Sequence, residues 1–450
     1  MVKRPTSRYV CNNCGAVETS WSGKCPKCGE WNTLTEQLST ADLVKSAASG
    51  NLLTPLSVHK SVAADQTRLI SGMSDVDMVL GGGIVQGSVN LIAGQPGIGK
   101  STLLLQLAHH IVANGVKVLY VSAEESVHQI GLRAQRLGAV TTELQLVSSN
   151  SADDIAATIL SGKYKLVIVD SIQAITSDAI NSLSGSVSQI TNSTRLLTLA
   201  AKQSDTAIII VGHVTKEGAI AGPKVLEHVV DVVLHLDGDR YGGFKVLRAV
   251  KNRFGSTNDA GIFEMLESGL KSVVNPSAAL LAERQISDGS VVMATVEGTR
   301  PLLVEVQALV NHTIYGYPKR AASGFDLNRL NLLVAMLERR TKLKLSDQDI
   351  YINIVGGMQL RDPAADLAIC LAIGSAAKGL KLKQDVVVFG EVGLSGEIRH
   401  VELSAKRLTE AKKLGFKGAI GPTQKNGKET TGLYGVPDVR TALNKFLVKD

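Results

Sequence analysis

The chain has 450 residues, of which 48 are basic and 41 acidic, so its formal net charge is +7. A content of 44% hydrophobic and 20% charged residues excludes wholesale disorder, and the length predicts more than one domain. No stretch approaches the ~18–20 apolar residues of a membrane span, and the start MVKRPTSRYVCNNC lacks the apolar region of a signal peptide. We therefore expect a globular, cytoplasmic protein with no membrane partner.

The first 31 residues contain four of the five cysteines. Cys11 and Cys14 form one Cys-x-x-Cys pair, and Cys25 and Cys28 form a second pair after ten intervening residues. Four thiolates at this spacing predict a closed zinc site, and residues 1–31 are too few to fold without metal. A disulfide or a redox pair is the less favoured alternative in a cytosolic chain. Basic and aromatic residues around the site could contact DNA or a protein, and the sequence does not choose between them.

Composition changes divide the rest of the chain. Residues 32–65 lack periodicity and carry Ser, Thr and Ala, which is typical of a linker. Over residues 66–274, apolar runs rich in Val and Ile alternate with amphipathic segments, which predicts a mostly parallel sheet covered by helices. After Pro276 the pattern resets to strands and then helices, predicting a separate domain over 275–450, in which Cys370 is expected to be a buried apolar residue.

The strongest motif is GQPGIGKS at residues 94–101, a match to GxxxxGK[ST] between a predicted strand and a predicted helix. The glycines let backbone N–H groups wrap phosphates, Lys100 can reach the β- and γ-phosphates, and Ser101 can coordinate Mg²⁺. This motif predicts an ATP site. Its predicted nucleotide-binding residues are Gly94, Gln95, Pro96, Gly97, Ile98, Gly99, Lys100, Ser101 and Thr102.

Polar residues at the ends of other predicted strands complete this site. Asp170 ends the run KLVIVD and is expected to hold the Mg²⁺ shell. Glu124 and Glu125 follow the run VLYVSA; Glu124 is the predicted residue that orients the attacking water, with Glu125 in reserve. His213 closes the run IIIVGH, where it either touches the γ-phosphate or is a hydrogen-bonded core histidine.

This order of motifs resembles the RecA/DnaB/KaiC class of P-loop ATPases. Within that class, Lys251-Asn-Arg253-Phe-Gly255 resembles the KNRFG motif of the bacterial RadA (Sms) family of DNA-repair proteins. The four-cysteine finger and a Lon-protease-like C-terminal domain match the rest of that family, so the resemblance covers essentially the whole chain. It implies an α/β fold: a RecA-like ATPase core with an N-terminal C4 zinc finger and an α+β Lon-protease-like domain.

The resemblance also implies a function. The family would be a DNA-dependent ATPase and helicase-like motor that translocates on single-stranded DNA and promotes branch migration during recombinational repair. Its cofactors would be ATP, Mg²⁺ and Zn²⁺, its partners single-stranded and branched DNA and a RecA recombinase, and its location the nucleoid during repair. It would form a ring, expected to be hexameric, in which Lys251 and Arg253 reach a neighbour's γ-phosphate. The sequence alone leaves open whether they act in cis or in trans, and whether the ring has six or seven subunits.

In RecA-like motors, two loops hold DNA, and here they correspond to residues 171–190 and 214–225. The second loop carries Lys216 and Lys224, the predicted DNA-contacting residues. Neither loop has an aromatic residue, so binding would depend on backbone N–H groups and lysines that contact phosphates.

The C-terminal domain lacks the residues of the Lon catalytic dyad. Ala364 stands where the Lon serine would be, and ungapped matching puts Ala405, one residue before Lys406, at the lysine position. Without a nucleophile covalent acyl transfer has no start, which makes an ATP-dependent protease a poor alternative and predicts a scaffold without peptidase activity. A KaiC-like regulatory ATPase that acts on proteins without DNA is the other alternative, but it does not predict the finger. The basic residues that would share a DNA-facing surface of this domain are Lys378, Lys381, Lys383, Arg399, Lys406, Arg407, Lys412 and Lys413.

Overall fold

A computed structural model describes residues 8–37, 68–213, 225–238, 244–314, 316–423 and 430–449. The chain divides into two compact units, Met1–Asp65 and Gln66–Asp450. No helix among these residues combines the length and apolarity that a bilayer crossing requires.

The first unit is built on a three-stranded antiparallel sheet in the order β2-β1-β3. Its third strand lies beyond residue 31, in the segment whose composition suggests a linker. This strand belongs to the finger, because Leu34 pairs with Cys11 and is buried against the cysteines. The sheet of the finger therefore extends to Gln37, beyond the expected boundary at residue 31. The strands are β1 Arg8–Cys11, β2 Val17–Glu18 and β3 Leu34–Gln37.

The second unit begins with a nine-stranded sheet in the order β14-β13-β12-β11-β6-β10-β9-β7-β8. Strands β6 to β11 are mutually parallel, and β12, β13 and β14 continue the sheet with each strand antiparallel to the one before it. The strands of this part are β4 Arg68–Leu69, β5 Ile84–Val85, β6 Val89–Gly94, β7 Val118–Ser122, β8 Leu144–Ser148, β9 Leu166–Asp170, β10 Ala207–His213, β11 Val232–Gly238, β12 Phe244–Asn252, β13 Ala260–Leu266 and β14 Gly269–Ser272.

Helices cover both faces of this sheet, as its doubly apolar strands require. Leu104 of α2 and Ile130 of α3 pack on one face, and Ile155 of α4 and Leu197 of α5 pack on the other. The helices are α1 Ser74–Leu80, α2 Lys100–Ala113, α3 Val127–Arg136, α4 Ala152–Leu160, α5 Val187–Ser204 and α6 Val225–Val229, with a 3₁₀ turn at Ile172–Ala174.

The C-terminal half of this unit contains a seven-stranded mixed sheet in the order β17-β18-β16-β15-β20-β23-β24. Its central helix α9 is buried from Ala365 to Ser375, and Cys370 is fully buried within it, as predicted. The strands are β15 Ser290–Glu297, β16 Arg300–His312, β17 Arg320–Ser323, β18 Gln348–Ile354, β19 Lys381–Leu382, β20 Val386–Val388, β21 Glu391–Val392, β22 Ile398–Arg399, β23 Gly418–Pro422, β24 Leu433–Val436 and β25 Leu447–Val448. The helices are α7 Pro276–Leu281, α8 Leu327–Thr341, α9 Ala365–Lys378, α10 Ser404–Lys413 and α11 Val439–Phe446.

Candidate functional site

The P-loop joins the end of β6 to the start of α2, and its glycines have different physical roles. A Cβ on Gly94 would lie 2.5 Å from the carbonyl oxygen of Leu236 on β11, so only glycine fits there. Gly97 and Gly99 have φ values of 77° and 115°, which side-chain-bearing residues rarely adopt. Gly99 is also the N-cap of α2 and supplies no capping side chain, so the first N–H groups of α2 are available to a phosphate.

Lys100 folds back onto the P-loop. Its Nζ donates hydrogen bonds to the carbonyl oxygens of Gly94 and Gln95 at 2.8 and 3.0 Å, and the residue is only 4% exposed. Burial lowers the pKa of Lys100 to about 8, although the carboxylates of Asp170 and Glu124 oppose the shift. Above this pH the lysine is therefore mostly neutral, unless a bound phosphate favours its charged form.

The affinity for ATP should consequently fall with rising pH. Below pH 8 Lys100 is already charged, so the affinity for ATP should not depend on pH. Above pH 8 Lys100 must take up a proton when ATP binds, and this proton uptake weakens the affinity. We expect the Kd for ATP to be about tenfold weaker at pH 9 than at pH 7. Fluorescent-nucleotide titration measures this, and Lys100→Arg, which stays charged throughout, should show a flat profile. An equal loss in the arginine variant would contradict the assignment to Lys100.

Asp170, at the end of β9, accepts hydrogen bonds from two hydroxyl groups. Its Oδ2 accepts hydrogen bonds from Ser101 Oγ and from Tyr120 Oη, each at 2.6 Å. Carboxylate and hydroxyl oxygens are the hard ligands that Mg²⁺ prefers, so Ser101 and Asp170 fit the ion's shell. Tyr120 is not among the predicted residues; the signal for it is a tyrosine inside a buried strand, whose hydroxyl needs a partner.

Glu124 lies close to Lys100 and to the ends of β9 and β10. Ser171, directly after Asp170, donates a hydrogen bond to Glu124 Oε1, and His213 Nε2 lies 3.9 Å from the same oxygen. The Glu124 side chain is 52% exposed, so water can reach it. Burial and the charge of Lys100 lower the pKa of His213, which favours a neutral imidazole. Glu124, His213 and Asp170 thus converge, as the strand-end pattern predicts; Ser171 is an addition.

Glu125 is held elsewhere. Its Oε1 lies 2.6 Å from a guanidinium nitrogen of Arg133 on α3, and its backbone N–H donates to Ser122 Oγ at 2.9 Å. This pairing favours Glu124 over Glu125 as the group that faces the nucleotide.

Lys251 and Arg253 lie near the amino-terminal ends of the parallel strands, whereas the P-loop lies at their carboxyl ends. Asn252, between them, pairs with Val232 of β11, which pairs with Asn90 near the start of β6. The P-loop follows the other end of β6, roughly 13 Å further along at ~3.3 Å per residue. The structure therefore does not bring these two residues to the P-loop of their own chain.

The four cysteines of the first unit converge. Sγ of Cys11 lies 3.6 Å from that of Cys28, and Sγ of Cys14 lies 3.7 Å from that of Cys25. All four sulfur atoms lie within 4.8 Å of one another. A tetrahedral zinc with Zn–S bonds of about 2.3 Å needs sulfur atoms about 3.8 Å apart, so the arrangement fits Zn²⁺.

The finger should lose its structure with its metal. Both tryptophans of the chain, Trp21 and Trp31, are in the finger and are 60% and 68% exposed, so tryptophan fluorescence reports on this unit alone. We expect a chelator or Cys25→Ser to change the emission and to remove about one zinc per chain. Cys370→Ala, at the buried cysteine of α9, should keep the zinc; retention of zinc by Cys25→Ser would contradict the assignment.

The two loops predicted to hold DNA are residues 171–190 and 214–225. Lys216 and Lys224 lie outside the described residues. In the 171–190 loop, the buried side chain of Gln189 donates to the carbonyl oxygens of Ser177, Ile180 and Ser182 at 2.9–3.3 Å. This loop is thus folded around a polar residue.

A buried ion pair lies two residues from each of the positions matched to the Lon dyad. Ala364 is fully buried at the N-cap of α9, and Lys406 is exposed on α10. Arg407 is 1% exposed and donates to Asp362 Oδ2 at 2.6 Å and to the carbonyl oxygen of Ala294 at 2.7 Å. The expectation that Arg407 shares a DNA-facing surface is therefore wrong: its guanidinium is needed to neutralise a carboxylate in the interior.

Three families match parts of the chain: "AAA domain" over residues 55–219, "Rubredoxin metal binding domain" over 9–36 and "Subunit ChlI of Mg-chelatase" over 307–425. The DNA repair protein RadA of Aquifex aeolicus is 46% identical over 92% of this chain and 93% of its own length. That of Escherichia coli strain K12 is 43% identical over 99% of both chains. The chain belongs to the RadA family of DNA repair proteins.

Membership of this family of DNA repair proteins confirms the predicted fold class and, with the match to the "AAA domain", makes the chain an ATP-hydrolysing enzyme. Its cofactors are ATP, Mg²⁺ and Zn²⁺, in keeping with the P-loop and the four converging thiols. A crystal structure of the RadB recombinase is 24% identical, with a TM-score of 0.37, and covers 46% of this chain and 99% of its own.

Proposed function

We propose that this RadA-family ATPase is a ring-shaped DNA motor. Six copies would surround single-stranded DNA, hydrolyse ATP between neighbouring subunits and drive branch migration of recombination intermediates. A RecA-type recombinase would load or receive the DNA.

The position of Lys251 and Arg253 carries this proposal. They lie at the sheet edge remote from their own P-loop, yet hydrolysis of a γ-phosphate needs a cation to stabilise the transferring group. A second subunit that presents this edge to the P-loop of the first would complete the site. A head-to-tail contact of this kind closes into a ring when the rotation between neighbouring subunits completes a circle.

The chain's own residues would divide the reaction as follows. The P-loop N–H groups and Lys100 would bind the phosphates, and Ser101 and Asp170 would hold Mg²⁺, which screens the phosphate charge. Glu124 would orient the attacking water and accept its proton, with Ser171 fixing the carboxylate. His213 would sense the γ-phosphate at the start of the segment 214–225, where Lys216 and Lys224 would contact the DNA backbone.

The test is ATP hydrolysis and three-strand branch migration with and without single-stranded DNA. We expect DNA to stimulate hydrolysis severalfold in a salt-dependent way, and migration to require ATP. Lys100→Ala, which removes the phosphate-binding lysine, is the inactive control. Hydrolysis that ignores DNA, with no salt-dependent binding, would reject the motor and favour a regulatory ATPase that acts on proteins.

A further inference from the structure

A buried carboxylate lies beside the basic pair Lys251 and Arg253. Asp231, between α6 and β11, is 1% exposed. Its carboxylate accepts hydrogen bonds from Arg253 at 3.0 Å, from Lys202 Nζ at 3.1 Å and from the backbone N–H of Val89 at 3.1 Å. The Asp231 carboxylate thus links the start of β6, the end of α5 and Arg253, which follows β12.

The residues just before Asp231 hold the other member of the pair. Lys251 Nζ donates to the carbonyl oxygens of Glu227 and Val230 at 2.6 and 2.7 Å. Both basic side chains are therefore attached to one short segment, residues 227–231, which comprises the end of α6 and the two residues before β11.

We propose that Asp231 is a positioning residue that aims Lys251 and Arg253 at the nucleotide of the neighbouring subunit. This inference rests on the proposed trans function. Long basic side chains have many rotamers, and a fixed carboxylate removes that freedom before the subunits meet. Arg253 remains 54% exposed, so the rest of its guanidinium is free to reach across an interface.

Residues 227–231 also link Lys251 and Arg253 to the two helices that follow the predicted DNA-contacting segments. Lys202 is at the end of α5, the helix that follows residues 171–186, and α6 follows residues 214–224 in the chain. A displacement of either helix would move the anchor of Arg253 or Lys251. Asp231 thereby offers a direct route from DNA binding to hydrolysis.

The alternative is that Asp231 only stabilises the fold by accepting the N–H of Val89. Asp231→Asn separates these roles, because an asparagine oxygen still accepts that hydrogen bond but no longer attracts Arg253. We expect kcat with DNA to fall about tenfold while KM for ATP stays within twofold, since the P-loop is remote. Asp205→Asn, at the left-handed end of α5, is the matched control and should behave as wild type.

Mixing two variants with complementary defects gives a readout that a purely structural role would not move. Lys100→Ala has no working P-loop but keeps an intact basic pair, and Asp231→Asn has the reverse. Equal mixtures should recover about one quarter of wild-type hydrolysis, since about that share of heterologous interfaces is complete. Lys251→Ala mixed with Lys100→Ala is the reference and should recover equally.

Wild-type kcat in Asp231→Asn would overturn the inference. So would a loss that mixing fails to restore when the Lys251→Ala mixture does recover. Failure of both mixtures would remove the proposed trans function, and the role of Asp231 with it.

Discussion

Glu124→Gln is expected to lower kcat for ATP hydrolysis by about 10²–10⁴-fold, the usual contribution of a general base. The amide still accepts a hydrogen bond from Ser171 but cannot take a proton from water. ATP affinity should change little, because Lys100 and the P-loop N–H groups bind the phosphates. Single-turnover hydrolysis and nucleotide titration measure the two quantities separately.

Glu125→Gln is the matched control for this change. Its carboxylate is paired with Arg133, and a partly exposed pair of this kind contributes only about 0–1 kcal/mol to stability. We expect a kcat close to wild type. If the Glu125 variant were inactive and the Glu124 variant active, the geometry around Ser171 and His213 would have been misassigned.

Lys251→Ala is expected to lower DNA-stimulated hydrolysis by about 10³-fold, as loss of a cation supplied from a neighbour does in other phosphoryl-transfer enzymes. The Kd for ATP should remain within about twofold of wild type, since the residue lies at the far edge of the sheet from the P-loop. Rapid-quench hydrolysis and calorimetric titration check the two halves of this prediction.

Lys163→Ala provides its control. Lys163 is exposed and lies three residues before the start of β9, at the same end of the parallel strands as Lys251. Its loss removes the same charge from that edge and should leave hydrolysis unchanged. An equal defect in the two variants would indicate a general effect of charge, and normal hydrolysis by Lys251→Ala would exclude the trans role.

The parts of the site that the sequence predicts are those whose chemistry is local. The glycines of the P-loop, the carboxylate after a Val-rich strand and the two Cys-x-x-Cys pairs each need residues a few positions apart. The helix α8, Leu327–Thr341, is local in the same sense, because it follows from the amphipathic periodicity of its own residues.

The parts that it does not predict depend on contacts between distant segments. Tyr120 acquires its role from Asp170, 50 residues later, and Asp231 from Lys202 and Arg253 on either side of it. Arginine is usually a surface residue, and the burial of Arg407 depends on its ion pair with Asp362. Strand register, which sets which edge Lys251 occupies, is likewise a property of the assembled sheet.

Specific ATPase activity over a dilution series, with particle mass measured at each concentration, tests most directly whether the active site is shared between neighbouring subunits. A shared site predicts that turnover per chain, with DNA present, falls as rings dissociate into single copies. Full turnover per chain by single copies at every dilution would contradict it.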